Sequence, residues 1–196
     1  TIQIWCAGKL GDDPIKPESQ PFFALGIAHE NDYIIDLKWC PTGFALKPPV
    51  GNGANVNNNS KATLSRLGLL AATFGNGSLC VYSVPFPQEI FEAQKNSTPP
   101  TYPLIMKLQP VYETQFEVPL TCLQWSSATA EILTGFSDGS VGFVTWNVNG
   151  DSQVEGSVTR FRAHNIKTTS LAWCPLDSNL FMSVGFDAQI RLWDKR

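Results

Sequence analysis

Two short patterns recur three times along the chain, and this internal repetition constrains the fold more than any other feature. The first is a polar and apolar alternation that runs into tryptophan, at residues 35–41, 122–126 and 170–175. The second follows each copy and centres on a tight turn, at residues 73–79, 135–141 and 185–190. Alternation predicts half-buried strands, and Asn-Gly and Asp-Gly predict hairpin turns. The chain is therefore predicted to consist of similar, stacked β units.

The segment from Ala163 to Asp194 is the most complete unit, and it resembles a WD repeat, the four-stranded blade of a β-propeller. The resemblance assigns four side chains to an internal hydrogen-bond relay: His164, Ser183, Asp187 and Trp193. In such a blade the aspartate lies in the turn between the second and third strands and accepts from the histidine, which is bonded onward to the hydroxyl and the indole. Because this relay leaves no buried donor unpaired, we interpret it as structural rather than catalytic.

The two earlier units match this pattern less well. The first offers only part of the relay, namely His29, Asn76 and Tyr82, and it has Ala72 where a hydroxyl would lie. The second offers only Thr134 and Asp138. It has no histidine before Leu120, and its Trp146 lies two residues later than the last unit predicts. Blades without the full relay still stack, because hydrophobic burial between neighbouring sheets contributes most of the stability. We therefore expect the full relay in the last blade alone.

These patterns predict an all-β fold, a partial WD40-type β-propeller of about three blades plus the last strand of a preceding blade. Propellers have about four to eight blades, so we expect the 196 residues to be an excerpt cut within a propeller, with an open sheet edge. The predicted divisions are an end strand at 1–6, a blade at 22–84 with an Asn/Gly-rich insertion at 47–61, a Pro-rich connection at 85–119, a degenerate blade at 120–148 and a complete repeat at 160–196.

Two of the long connections have distinct compositions. The insertion at 47–61 is dominated by Asn and Gly, whose side chains bury too little apolar surface to offset the entropy of ordering. It is therefore predicted to be disordered. Within the connection 85–119, the segment 87–95 begins with proline and an acidic first turn, and it carries Ile90 and Phe91 on one side. This segment is predicted to form a short surface helix.

The composition agrees with a folded domain in a reducing compartment. Hydrophobic residues make up 43% of the chain, which is enough for a core, and no apolar run reaches the 18 or so residues of a membrane span. The five cysteines are widely spaced and several lie in predicted strands, so we interpret them as small buried hydrophobes rather than a disulfide framework. No membrane role is expected.

Catalytic, metal and cofactor sites are not predicted. The segment 135–139 fits the G-x-S-x-G string around Ser137, but that motif functions on a turn from strand to helix, and a strand follows here. The only two histidines, His29 and His164, are far apart in sequence, and C-x-x-C and phosphate-loop motifs are absent. We therefore interpret residues 135–139 as a blade turn and predict no enzyme.

Two surface features are candidates for binding. The one local basic cluster consists of Arg160, Arg162 and Lys167. The net charge of −3 and the pI of 5.3 favour an ordinary solvated strand here, and any nucleic-acid contact through these residues is expected to be weak. The second candidate is a set of rings at the turns: Phe74, Phe136 and Phe186. These rings would form an apolar partner surface if they point outward, whereas the alternative, which we favour, is that they pack between blades.

Three segments extend the resemblance to a particular family, the second subunit of general transcription factor IIIC. They are residues 35–43, residues 66–71 and residues 83–87, and the closing segment 163–194 is similar to the next blade of that family. The resemblance implies a nuclear, non-enzymatic subunit that supports RNA polymerase III transcription of tRNA-type genes. It also implies that the partners are other subunits of the complex and that any DNA contact is indirect or auxiliary.

The resemblance carries no catalytic, cofactor or contact residues over to this chain, because it rests on blade-forming positions. No small-molecule substrate is expected. A second hypothesis stays open: a general WD-repeat adaptor, such as a substrate receptor for ubiquitin ligation or a trafficking scaffold.

Overall fold

The computed structural model of the chain describes residues 1–7, 21–41, 66–87, 89–90, 104–127, 129, 131–148 and 154–196. The insertion predicted at 47–61 lies outside these residues, as does the predicted helix beyond residue 90. The described residues form fourteen strands: β1 (Ile2–Cys6), β2 (Phe22–Ala28), β3 (Ile34–Trp39), β4 (Arg66–Phe74), β5 (Ser78–Pro85), β6 (Leu104–Lys107), β7 (Tyr112–Gln115), β8 (Leu120–Trp125), β9 (Glu131–Phe136), β10 (Ser140–Val148), β11 (Val154–Arg162), β12 (Thr168–Trp173), β13 (Leu180–Gly185) and β14 (Ile190–Asp194).

The strands form four sheets, which we number in chain order. The first sheet has the order β1-β2-β6, the second β3-β4-β5-β7, the third β8-β9-β10-β11 and the fourth β12-β13-β14. Strands β2 and β6 pair in parallel, whereas neighbouring strands of the third and fourth sheets pair antiparallel. The second and third sheets each follow chain order across four strands, as the blades of a β-propeller do. The predicted all-β, partial-propeller fold is confirmed.

The turns between the second and third strands of the blades form where the sequence predicts them. Gly77 and Gly139, the glycines of the Asn-Gly and Asp-Gly pairs, have φ of 84° and 89°. The last turn has Ala188 at the same place with φ of 57°, a conformation that costs a residue with a Cβ some strain. A side chain at Gly139 would also meet the carbonyl oxygen of His164 at 2.3 Å. Glycine is therefore required at Gly139 both by its backbone conformation and by the close approach.

The chain divides into two compact units, one around the first sheet and one around the other three sheets. In the first unit Ile2, Leu25 and Ile27 are buried, and the ring of Trp5 stacks on Phe23 with centroids 5.4 Å apart.

In the second unit successive sheets pack face to face, and we call the face toward the following sheet the back face and the other the front face. The back face of the second sheet buries Ala71 and Leu79 against Trp125 on the front face of the third sheet. The back face of the third sheet in turn buries Leu133 against Trp173 on the front face of the fourth. Hydrophobic burial between the sheets is thus the main stabilising term in this unit.

The boundaries of the blades differ from those predicted. Strand β2 lies within the predicted blade 22–84 but pairs with β1, and the fourth strand of the second sheet is β7, inside the predicted connection 85–119. Strand β11 completes the third sheet, so the predicted repeat 160–196 contributes its first residues to that sheet and leaves the fourth sheet with three strands. The reason is physical: turn and relay residues mark the inner three strands, whereas the outer strand carries neither.

The predicted helix is described only at its start. Residues 87, 89 and 90 have helical backbone, the Glu89 N–H donates to the Phe86 carbonyl at 3.2 Å, and Ile90 is buried. The described residues contain no helix that is long and apolar enough to cross a membrane.

All five cysteines are free thiols, as expected, although they are not all buried. Cys80 and Cys122 are buried, and burial raises the pKa of each thiol to about 11. Cys6 is exposed, contrary to the expectation that the cysteines serve as buried hydrophobes.

Candidate functional site

The predicted relay of the last blade is present in the fourth sheet. The Nδ1 of His164 lies 2.9 Å from Asp187 Oδ1, and its Nε2 lies 2.7 Å from Ser183 Oγ. The Trp193 Nε1–H donates to the same Ser183 oxygen at 2.8 Å. Because a carboxylate only accepts, the network assigns the histidine proton to Nδ1, so that Nε2 accepts from the serine hydroxyl. The four polar groups are therefore satisfied by one another, as the resemblance implied.

Backbone geometry holds Asp187 at the centre of this network. Its carboxylate also accepts from the Asn165 N–H at 3.2 Å and the Gln189 N–H at 3.3 Å. Burial alone would raise the pKa of the Asp187 carboxyl, but the hydrogen bonds from Asn165 and His164 hold it below its ordinary value. A Cβ at Gly185 would lie 2.5 Å from the His164 ring, so the imidazole packs directly on that glycine.

The connectivity of this network is also that of a Ser-His-Asp triad, which raises the question of catalysis. His164 is 1% exposed and Ser183 is 0% exposed. The Ser183 oxygen already accepts the Trp193 indole proton and bonds the imidazole. A substrate carbonyl therefore has no route to this hydroxyl, and the geometry supports a structural function.

The third sheet replaces the histidine of the relay with an arginine from its outer strand. Arg160 Nη2 lies 2.6 Å from Asp138 Oδ2, and its Nε donates to Ser140 Oγ at 2.5 Å. The guanidinium also lies 4.1 Å above the Phe136 ring. Burial would raise the pKa of Asp138, but hydrogen bonds from Ser140 and the charge of Arg160 hold it below its ordinary value.

The third sheet has no histidine before its inner strand, and Phe116 stands at the equivalent position, bonded to the turn of the second sheet. The Phe116 N–H donates to the Gly77 carbonyl at 3.0 Å, as the His164 N–H donates to the Gly139 carbonyl at 2.7 Å. The Phe116 ring meets Phe136 edge to face, with centroids 5.1 Å apart. The place of an imidazole is therefore filled by packing.

In the second sheet the side chain that contacts Asn76 is Asn31. The Asn76 amide donates to Asn31 Oδ1 at 3.3 Å, and the Asn31 amide donates to Cys80 Sγ at 3.4 Å. The residue predicted for this place, His29, has its Nε2 3.2 Å from the amino group of Thr1. In this blade the sequence identified the turn asparagine correctly but missed Asn31, because asparagine carries no repeat signature.

The innermost strands of successive sheets are joined by polar contacts that the sequence did not predict. The Leu123 N–H donates to Asp36 Oδ2 at 3.0 Å, and the Trp125 indole donates to the Lys38 carbonyl at 2.9 Å. Between the third and fourth sheets, Thr121 Oγ1 donates to the Thr168 carbonyl at 2.6 Å. These contacts fix the sheets against sliding, which hydrophobic packing alone does not.

Two of the three turn rings are buried, as the favoured interpretation of packing between blades expects, and the third is exposed. Phe74 and Phe136 are 0% exposed, whereas Phe186 is 65% exposed. Phe74 and Phe136 pair with the first residue of their inner strands, whereas in the fourth sheet Gly185 has that position. The sequence alignment of the three turns is therefore shifted by one residue at Phe186. Phe186 is one position later, in the turn itself.

Exposed apolar side chains nevertheless lie at the turn end of the sheets. Tyr33 and Ile166 precede the inner strands β3 and β12 and are 68% and 54% exposed. Each blade joins the segment before its inner strand to the turn, since the Gly75 N–H donates to the Tyr33 carbonyl and the Phe186 N–H to the Lys167 carbonyl, both at 2.9 Å. We call Tyr33, Ile166 and Phe186 the turn-end surface. The sequence missed Tyr33 and Ile166 because single apolar residues in loops carry no pattern.

The three predicted basic residues are engaged within the chain. Arg160 forms the ion pair with Asp138, and Arg162 Nη2 donates to the Asn165 carbonyl at 3.0 Å. The Lys167 ammonium lies 5.7 Å from the centre of the Phe186 ring. The structure therefore gives Arg160 a function inside the third sheet.

No catalytic or metal centre emerges from the described part of the chain. Ser137 is exposed in the turn between β9 and β10, which are antiparallel neighbours, so the strand-to-helix turn of a nucleophile elbow is absent at this place. Within 1–7, 21–41, 66–87 and the later described residues, no three His, Cys, Asp or Glu side chains group as a metal site would require.

The sheets, the hairpin turns and the closed relay define the class: the chain has the fold of a partial WD40-type β-propeller. In agreement, the family model "WD domain, G-beta repeat" matches residues 155–194.

The similarity then extends to one named protein. Over its whole length the chain is 30% identical to "General transcription factor 3C polypeptide 2" of Homo sapiens, and 30% identical to the protein of that name in Pongo abelii. The chain spans 23% of the length of each of these relatives. A solved structure, "Crystal Structure of Mitotic Checkpoint Complex", superimposes with a TM-score of 0.44 and 16% identity, over 65% of this chain and 34% of that chain.

Proposed function

We propose that the chain is a non-enzymatic scaffold segment of the general transcription factor IIIC complex, which acts in the nucleus in RNA polymerase III transcription of tRNA-type genes. The observation that carries this proposal is the 30% identity to general transcription factor 3C polypeptide 2 along the whole chain. The partners are other subunits of that complex, and any DNA contact is indirect or auxiliary.

The structure supports a binding function through the way its polar groups are used. The relay side chains and the Arg160 guanidinium are bonded within their own sheets, and the Asp36 carboxylate joins two sheets. Three apolar side chains are exposed at the turn end: Tyr33, Ile166 and Phe186. Rigid sheets present such side chains with little ordering cost on binding, which favours a partner surface.

The experiment is affinity capture of the epitope-tagged protein from nuclear extract at moderate salt, followed by quantitative mass spectrometry. We expect the other transcription factor IIIC subunits in near-equal amounts. The double variant Ile166→Ser/Phe186→Ser should lose part of this set, whereas Leu176→Ser, which changes a side chain that is 96% exposed elsewhere, should keep it.

The alternative is a general WD-repeat adaptor, which would yield ligase or trafficking components in the same capture. That result would leave the propeller fold intact and would show the transcription assignment to be wrong.

A further inference from the structure

The segment before the inner strand β12 and the turn between β13 and β14 form an exposed corner of the fourth sheet. Ile166 and Phe186 are 54% and 65% exposed, and Arg162 at the end of β11 is exposed as well. The Phe186 N–H donates to the Lys167 carbonyl, and the Lys167 ammonium lies 5.7 Å from the centre of the Phe186 ring. Arg162 Nη2 donates to the Asn165 carbonyl, next to Ile166. We call Arg162, Ile166, Lys167 and Phe186 the corner patch.

The exposure of the Phe186 position does not depend on an uncovered sheet face. Ser137 holds this position in the third sheet, since its N–H donates to the Pro119 carbonyl as the Phe186 N–H donates to the Lys167 carbonyl. The third sheet has a neighbouring sheet packed on each of its faces. Ser137 is nevertheless exposed. The turn position is therefore open to a partner even in a blade that is covered on both sides.

The turn carboxylates of the third and fourth sheets are engaged within the chain. Asp138 pairs with Arg160 at 2.6 Å. Asp187 is bonded in the relay, and its side chain is 8% exposed. By contrast, the described part of the chain offers no ion-pair partner to Arg162 or Lys167, which contact neutral groups. The corner patch therefore carries two positive charges without a carboxylate counterpart, around an apolar centre.

We propose that the corner patch binds a segment of a partner protein in which apolar side chains are flanked by acidic ones. This inference rests on the proposed function, since it gives the chemistry of the partner at one part of the turn-end surface. Ile166 and Phe186 pack on the apolar side chains, and carboxylates of the segment pair with Arg162 and Lys167. Packing at the centre excludes water from the ion pairs and so strengthens them, and the complementary charges speed association.

A nucleic acid fits the corner patch less well than an acidic peptide. Binding through phosphates depends on several cations that each release counterions, and the patch offers two, Arg162 and Lys167. The net charge of −3 also repels a densely charged polyanion more than a short segment with a few carboxylates. A peptide supplies apolar side chains to cover Ile166 and Phe186, as partners in protein interfaces do. The patch therefore favours a protein segment.

The test measures binding of a fluorescein-labelled peptide to the purified epitope-tagged protein by fluorescence anisotropy. The probe peptide has leucine and phenylalanine in its centre and aspartates on both sides, and the control peptide has asparagine in place of every aspartate. Arg162→Gln/Lys167→Gln removes the two charges, and Phe186→Ser removes the exposed ring. Leu176→Ser and Arg196→Gln are matched controls, since they change an exposed leucine and an exposed arginine outside the corner patch.

We expect the aspartate peptide to bind the original protein and both control variants equally, with a dissociation constant that rises with added sodium chloride. The charge variant and Phe186→Ser should each raise that constant by about tenfold or more. The asparagine peptide should bind at least about tenfold more weakly and without a marked salt dependence. Thermal melts by circular dichroism check that every variant folds.

Several results would overturn the proposal. Absence of binding by the aspartate peptide, or equal binding of the two peptides, would show that charge does not select the partner. Binding that neither variant weakens would place the site elsewhere. Tighter binding of a single-stranded oligothymidylate, lost in the same variants, would assign the corner patch to nucleic acid.

The peptide assay and the capture experiment fail separately. Capture of transcription factor IIIC subunits without peptide binding would refute the corner patch and leave the proposed function standing. Peptide binding together with capture of ligase or trafficking components would refute the proposed function and leave the corner patch standing.

Discussion

The Trp125 indole donates to the backbone carbonyl of Lys38 at 2.9 Å and so ties the inner strand of the third sheet to that of the second. Trp173 occupies the same position in the fourth sheet, but its buried Nε1 has no hydrogen-bond partner among the described residues. The same residue type at the equivalent strand position thus has its donor satisfied in one blade and unsatisfied in the next.

Phenylalanine substitutions measure this difference. Trp125→Phe should destabilise the fold by about 1 kcal/mol more than Trp173→Phe. The first substitution removes a hydrogen bond, whereas the second removes a buried indole N–H that has no partner among the described residues. Both substitutions replace an indole by a phenyl ring. Urea unfolding followed by fluorescence gives the two free energies, and equal losses would contradict the hydrogen bond to Lys38.

The relay predicts a marked effect of Ser183→Ala. The substitution leaves the Trp193 N–H and the His164 Nε2 without their shared partner in a fully buried site. Unpaired buried groups of this kind cost about 1–3 kcal/mol each, so the free energy of unfolding should fall by at least that amount.

The control for that substitution is Ser137→Ala. Ser137 is exposed in a turn, and its backbone N–H donates to the Pro119 carbonyl at 3.0 Å. The expected change is within about 0.5 kcal/mol. A loss equal to that of Ser183→Ala would place the buried serine of the blade elsewhere.

Acid should weaken the fourth sheet through Asp187. Its pKa is lowered in the folded state, so the carboxylate contributes stability above its ordinary value of 3.8, and this contribution is lost as the pH falls through the folded value. Asp187→Asn should therefore destabilise the protein at neutral pH and make stability less dependent on pH below about 4. Unfolding midpoints between neutral pH and pH 2 test this, and parallel curves for the two proteins would contradict it.

Arg160→Gln should have a small, salt-dependent effect. The Asp138 side chain is 42% exposed, so solvent screens its ion pair with Arg160 and the loss should be at most about 1 kcal/mol. Added sodium chloride should reduce the difference between the variant and the original protein. Arg162→Gln is the matched control, since Arg162 donates to a neutral carbonyl, and an equal salt response in both would argue against the ion pair.

Sequence reasoning located the features that recur with fixed spacing. His164, Ser183, Asp187 and Trp193 lie together as the WD resemblance implied, because each position is set by one residue type in a regular repeat. Strand β7 escaped prediction because an outer strand needs no turn dipeptide or relay residue.

The substitutes for missing relay residues were harder to predict. Arg160 reaches Asp138 from an outer strand that is paired across the sheet, a relationship that appears only once the register is known. Asn31 lies two residues beyond the predicted His29, so local spacing favoured the wrong side chain. Phe186 lies one position beyond the strand end that Phe74 and Phe136 occupy, in the turn itself, and its ring is exposed there.

The connections within the sheets bear on how the protein folds. The third sheet joins β9 to β10 through one tight turn, whereas the second sheet needs residues 40–65 to close between β3 and β4 and residues 86–111 between β5 and β7. Closing a loop costs entropy that rises with its length, and contacts between distant residues form more slowly. Strands β8 to β10 are therefore expected to assemble first, with β3 and β7 docking late onto an existing surface. In a pulse-labelling experiment, the amides of β9 and β10 should become protected from hydrogen exchange before those of β7.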